Sequence, residues 1–103
     1  MDQSEVVEKI NAFKNLLIQR FAISKIILFG SFIKNTAHEF SDIDVAVICT
    51  GLNDDYISSQ AAIYKLRRDI DYRIEPHLFI GEEDPSGFLS EILKTGKVIY
   101  SAN

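Results

Sequence analysis

The chain has 103 residues, 47% apolar and 25% charged, enough for one folded domain (1–103) and too few for two. A formal charge of −4 excludes a domain that grips DNA or RNA through a broad basic face, so direct nucleic-acid binding is not expected. The lone Cys49 excludes an internal disulfide, no apolar run is long enough to span a membrane, and the polar, acidic first residues do not resemble a signal peptide; a soluble cytoplasmic protein is the expectation.

The first element is a helix over about Ser4 to Arg20, where Val6, Val7, Ile10, Phe13, Leu16 and Leu17 recur at helical spacing. Asp2, with Glu5 three residues on, predicts a capping box at its start. Ser24 to Phe29 is a β-rich, nearly continuous apolar run, which suits a strand covered on both faces. It stops at Gly30-Ser31. Phe32 to Phe40 is a connection, and Ile43 to Cys49 reads as the second strong strand, ended by Thr50-Gly51-Leu52-Asn53.

Asn53 or Asp54 is placed to cap a second helix carrying Ile57, Ala61 and Tyr64, running to about Arg68. A third strand is expected over about Tyr72 to Phe79. Its Pro76 cannot donate to a ladder, which predicts an edge position or a bulge. An acidic turn-rich loop, 81–87, leads to a short helix from Phe88 to Lys94 ended by Gly96, a candidate left-handed C-terminal glycine. Val98-Ile99-Tyr100 forms a last short strand or simply covers the core. This order of elements gives an α/β (α+β) domain, with helices packed on a small mixed β-sheet. A domain this small has little stability to spare, and a partner chain or homo-oligomer would help it.

Chemistry concentrates at two places. Asp42 and Asp44 are two apart at the start of a strand, so both carboxylates point to one face, roughly 7 Å apart at Cα, while Ile43, Val45 and Val47 point into the core. Two acids this close repel each other unless a cation offsets the charge, and Mg²⁺ prefers carboxylate oxygens shared with substrate phosphates. Gly30 lets the chain turn sharply after a buried strand and admits a phosphate close to the backbone. Ser31 adds a hydroxyl, and the N–H groups behind it can form an anion-binding nest.

Phe29-Gly30-Ser31, ten residues, then Asp42-Ile43-Asp44-Val45 resembles the signature of the polymerase-beta-type nucleotidyltransferase superfamily, and more narrowly that of minimal nucleotidyltransferase (MNT) domains. Ser41 before the acidic pair also fits that pattern. The resemblance implies the nucleotidyltransferase fold and a third carboxylate on a neighbouring strand, for which Arg73-Ile74-Glu75 has the right local form; Asp71 is the competitor. It further implies that Asp42, Asp44 and Glu75 bind a pair of Mg²⁺ ions and carry catalysis. Gly30, Ser31 and Ser41 would hold the triphosphate of an NTP, with ATP the expected one. Three departures stand out: Phe32 where a basic residue is common, Asn35 where glycine is frequent, and Glu rather than Asp as third acid. Proteins resembling this one are often encoded beside a HEPN-type helical partner, and some are antitoxins that adenylylate it.

Other polar residues have plainer readings. His77 shares the strand face of Glu75 if alternation survives Pro76 and reads as a supporting or surface histidine; His38 is weaker still. Arg67-Arg68 reads as a pair serving a helix C-terminus, Lys34 as a solvated lysine, Tyr64 as core or interface, and Cys49 as packing. Two functions follow. One is Mg-dependent transfer of a nucleoside monophosphate to a hydroxyl acceptor, with a partner protein as a candidate acceptor; the other is an inactive module that neutralises its partner by contact.

Overall fold

A computed structural model describes residues 2–34, 37 and 41–102. The expectations resting on Asn35 and His38 lie outside the described residues. The elements are α1 (Gln3–Leu17), β1 (Ile23–Phe29), β2 (Ile43–Cys49), α2 (Tyr56–Leu66), β3 (Ile74–Ile80), α3 (Phe88–Thr95) and β4 (Lys97–Ser101). Single 3₁₀ turns follow β1, at Gly30–Phe32, and α2, at Arg67–Asp69.

The strands lie in the order β3-β2-β1-β4, with β2 and β3 parallel and the other neighbours antiparallel. The mixed sheet follows from the connections, since the parallel pair needs the crossover that α2 supplies. One face carries Ile26, Leu28, Ile43, Val45, Val47, Cys49, Ile74 and Leu78 against Val6, Ile10, Phe13 and Leu17 of α1 and Ile63 of α2. The other carries Ile27, Ala46 and Ile48 against Leu89 and Ile92 of α3. Both central strands are therefore covered on both faces, which is why they read as continuous apolar runs.

Local signals act close to where they were expected. Asp2 caps α1, its carboxylate accepting from the Glu5 N–H at 2.9 Å. The cap of α2 is Asp55 rather than Asn53 or Asp54, and its Oδ1 accepts from the Ser58 N–H at 2.8 Å. Pro76 does lie on an edge strand. The carbonyls of Ile74, Pro76 and Leu78 face away from β2, so the missing proline N–H faces the same way and costs no ladder bond.

That open edge is sealed from α2 and the turn behind it. Tyr56 Oη donates to Leu78 O at 2.7 Å, Gln60 Nε2 to Pro76 O at 3.1 Å and Arg67 Nη1 to Ile74 O at 3.1 Å. Arg67 thus serves the sheet edge rather than a helix dipole. Gly96 also departs from expectation. Its backbone is extended (φ −79°, ψ 172°), not left-handed, and its requirement is space: a Cβ there would meet Ile27 Cγ2 at 2.6 Å and Ile92 O at 2.7 Å. The left-handed glycine sits at the other end of α3, at Gly87 (φ 80°). Residues Val98–Tyr100 do form a strand, β4, paired with β1.

Candidate functional site

The antiparallel and parallel registers align Phe29, Asp44 and Glu75 as neighbours across three adjacent strands. Residues opposite one another in a ladder share a face, so both acids project from the face that α3 covers. The next row along, Ile27, Ala46 and His77, continues that face into the apolar layer under α3. Asp44 and Glu75 therefore stand at the rim of a covered surface, with a buried floor behind them and solvent in front.

Gly30 is shaped around Asp44. Its φ of +82° is in the left-handed region, and a Cβ would fall 2.4 Å from Asp44 Oδ2 and 3.2 Å from Cγ. The glycine that ends β1 thus does two jobs: it makes the turn and gives the aspartate room against the main chain. The chain then closes a 3₁₀ turn in which Gly30 O accepts from the N–H groups of Ile33 at 3.1 Å and Lys34 at 3.2 Å. The opening N–H groups of such a turn point out of its N-terminal end and have no partner within the turn itself. Ser31 is half-buried in this turn, and Phe32 is turned into the core, 6% exposed. Gln3 Nε2 holds the turn to α1 by donating to Phe32 O at 2.9 Å.

Asp42 lies one residue ahead of β2 and is exposed, and Ser41 before it is half-buried. The backbone here is fixed by the Ile43 N–H donating to Arg73 O at 2.7 Å. Among the described residues, no three His, Cys, Asp or Glu side chains already stand together as a ligand cluster. A bound cation would need Asp42 and Glu75 to turn toward Asp44. The all-carboxylate donor set and the space kept for Asp44 fit a hard divalent ion.

The two contenders for third acid have different surroundings. Asp71 is tied into the fold: Arg73 Nη2 donates to it at 2.7 Å, the Arg73 N–H at 2.8 Å, and Lys9 Nζ lies 3.2 Å away. Burial alone would raise its carboxyl pKa, but the hydrogen bonds from Arg73 and Lys9 outweigh it and the net direction is down. Glu75 is the acid in register with Asp44.

Of the residues around these acids, sequence reasoning anticipated His77 on the shared strand face but not the contact that Tyr64 makes. His77 Nε2 lies 3.4 Å from Asp44 Oδ1. Its ring packs 5.2 Å from Phe29 and 6.1 Å from Phe88, the exposed first residue of α3. Tyr64 Oη is 3.5 Å from Glu75 Oε2. Only the alternation of β3 pointed to His77; nothing local pointed to Tyr64, which meets Glu75 from another element.

Three comparisons bear on this geometry. The family model described as "Polymerase beta, Nucleotidyltransferase" matches residues 11–103. No curated protein matches. One chain of a solved structure, "Crystal structure of the toxin-antitoxin with AMP-PNP", superposes with a TM-score of 0.66 at 21% identity, over 94% of this chain and 74% of that one. At that identity the likeness is one of fold.

Proposed function

We propose an activity for this chain from one premise: it belongs to the polymerase beta nucleotidyltransferase family. The chain transfers a nucleoside monophosphate from an NTP, ATP in the first instance, to a hydroxyl acceptor, releasing pyrophosphate. The observation that carries this reading is a glycine shaped around Asp44, with Glu75 in register beside that aspartate.

Asp42, Asp44 and Glu75 would hold Mg²⁺, two ions in the full complement, which when bound neutralise the triphosphate and the charge that develops on transfer. Gly30 admits the triphosphate close to the main chain, and Ser31 and Ser41 orient it with their hydroxyls. Glu75 takes the proton of the attacking hydroxyl. The floor of Ala46, Ile48 and α3 excludes water from one side. Most of the acceleration would come from positioning and charge neutralisation.

The acceptor is proposed to be a hydroxyl on a HEPN-type helical partner, with this chain as the antitoxin of a toxin–antitoxin pair in the cytoplasm. The resemblance to MNT domains motivates this, and the similar fold solved in a toxin-antitoxin with AMP-PNP is consistent with it. The test is transfer from α-labelled ATP with Mg²⁺ to candidate acceptors, partner included. No transfer by the wild type, or equal transfer after Asp44→Ala, defeats the proposal.

A second reading, neutralisation by contact alone, is favoured by one observation. Phe32 stands where the family often has a basic residue, and it is buried in the core instead of facing a phosphate. On that reading Asp44→Ala leaves neutralisation intact. Loss of neutralisation while the complex still forms excludes it.

A further inference from the structure

We propose that Tyr64, clamped by Arg67, is a positioning residue that orients the Glu75 carboxylate. The inference rests on the reading of Glu75 as third acid and deepens it. The observation is a chain of contacts around the β3 edge. Tyr64 belongs to α2, which packs on the sheet face opposite to Asp44 and Glu75. Because β3 is the edge strand, its ring can pass that edge, and Tyr64 Oη reaches to 3.5 Å from Glu75 Oε2.

The ring is itself held. The Arg67 guanidinium lies 3.8 Å from the centroid of Tyr64, a stacking distance for cation and aromatic face. That guanidinium is anchored in turn, donating to Ile74 O at 3.1 Å and to Tyr72 O. The hydroxyl that meets Glu75 is therefore set by the backbone of the same strand that carries Glu75, one residue away from it. A shift of β3 moves acid and clamp together.

Glu75 needs such a restraint more than its partners do. Asp42 and Asp44 have two side-chain torsions, whereas a glutamate has three, so fixing a solvated glutamate costs more rotamer entropy. A hydroxyl at Oε2 selects among those rotamers and leaves Oε1 as the oxygen not engaged by Tyr64. The present distance is long for a hydrogen bond, as contacts of a catalytic group often are before substrate binds. Removal of a group that orients a metal ligand typically costs about 10–100-fold in activity or metal affinity.

The test uses the full chain and Tyr64→Phe, which keeps the ring and the Arg67 stack and deletes only the hydroxyl. The readouts are kcat and KM for ATP, Mn²⁺ affinity in the presence of AMP-PNP (followed by the spin resonance of free Mn²⁺) and Tm. The expected result is a fall of about 10-fold in kcat and in Mn²⁺ affinity, with KM and Tm unchanged. In a Glu75→Gln background the same substitution should add no further loss, because its effect passes through the carboxylate. Unchanged kcat and Mn²⁺ affinity, or additive losses in the Glu75→Gln background, overturn the proposal. If Glu75→Gln alone keeps wild-type kcat and Mn²⁺ affinity, the assignment of Glu75 fails and the role of Tyr64 falls with it.

Discussion

At Gly30 two demands coincide, a left-handed backbone and a carboxylate within contact distance of where a Cβ would sit. They are separable by mutation. Gly30→Ala should cost about 1–2 kcal/mol for the backbone conformation alone, and more for the overlap with Asp44. In an Asp44→Ala background the clash with the carboxylate is removed and only the 3.3 Å contact to the residue 44 Cβ remains, so the second substitution should cost measurably less there than in the wild type. A double-mutant cycle of urea unfolding reads this directly; additive costs would mean that Asp44 does not lean on Gly30.

Asp71 makes a different prediction, in pH. Its carboxyl is held below the ordinary value in the folded state by Arg73 and Lys9, against the opposing effect of burial. A depressed folded pKa means that the unfolded chain binds the proton more tightly. The stabilisation is therefore complete above the unfolded value of about 3.9 and is lost as pH falls through the lower folded value. The stability difference between wild type and Asp71→Asn should be flat near neutrality and shrink below about pH 4. A difference that instead grows on acidification would contradict the ion-pair geometry. Cys49 needs only a thiol assay: burial pushes its pKa up to about 11, so it should react slowly with a disulfide reagent in the native state and rapidly once unfolded.

Among elements, the junction of α3 and β4 is the tightest described. The helix ends at Thr95 and the strand begins at Lys97, leaving Gly96 to reverse the chain against β1. A Cβ there would press on two backbone oxygens, Ile92 O at 2.7 Å and Leu28 O at 2.9 Å, which cannot move aside as a flexible side chain would. Gly96→Ala should destabilise by about 1–3 kcal/mol, as overpacking does, and lower Tm by several degrees. The spacing of the sequence located this glycine correctly as a helix end. It did not reveal the reason, because a close approach between a helix C-terminus and a strand distant in sequence leaves no local pattern. The same holds for the edge of β3: Pro76 announced an edge or a bulge, but nothing announced that Tyr56, Gln60 and Arg67 would seal it. Bare sheet edges invite pairing with other chains, so side-chain caps of this kind protect the fold.

For the molecule as a whole, the proposed function has a thermodynamic consequence independent of turnover. A ligand that binds only the folded chain stabilises it by about 2.7 kcal/mol at 100 times its dissociation constant. Mg²⁺ with AMP-PNP should therefore raise Tm, Mg²⁺ alone should raise it less, and Asp44→Ala should abolish both shifts. An increase that survives Asp44→Ala would place nucleotide elsewhere on the protein. No helix described here is long and apolar enough to cross a membrane, and the described cores are two layers around one small sheet.

The sequence by itself determined the elements and the position of the candidate site. Apolar periodicity gave three helices and the strands between them, Pro76 pointed to an edge or a bulge, and Gly30-Ser31 with Asp42-x-Asp44 marked the candidate site. These signals are local, since each is set by residues within a few positions of one another. Only the tertiary structure decided which acid stands beside Asp44, because strand register is a contact between segments remote in sequence. It likewise decided that Asp71 is spent on Arg73 and Lys9 and that Gly30 is shaped to an aspartate. The reach of Tyr64 around the sheet edge to Glu75 belongs to the same class, because packing rather than spacing brings those side chains together.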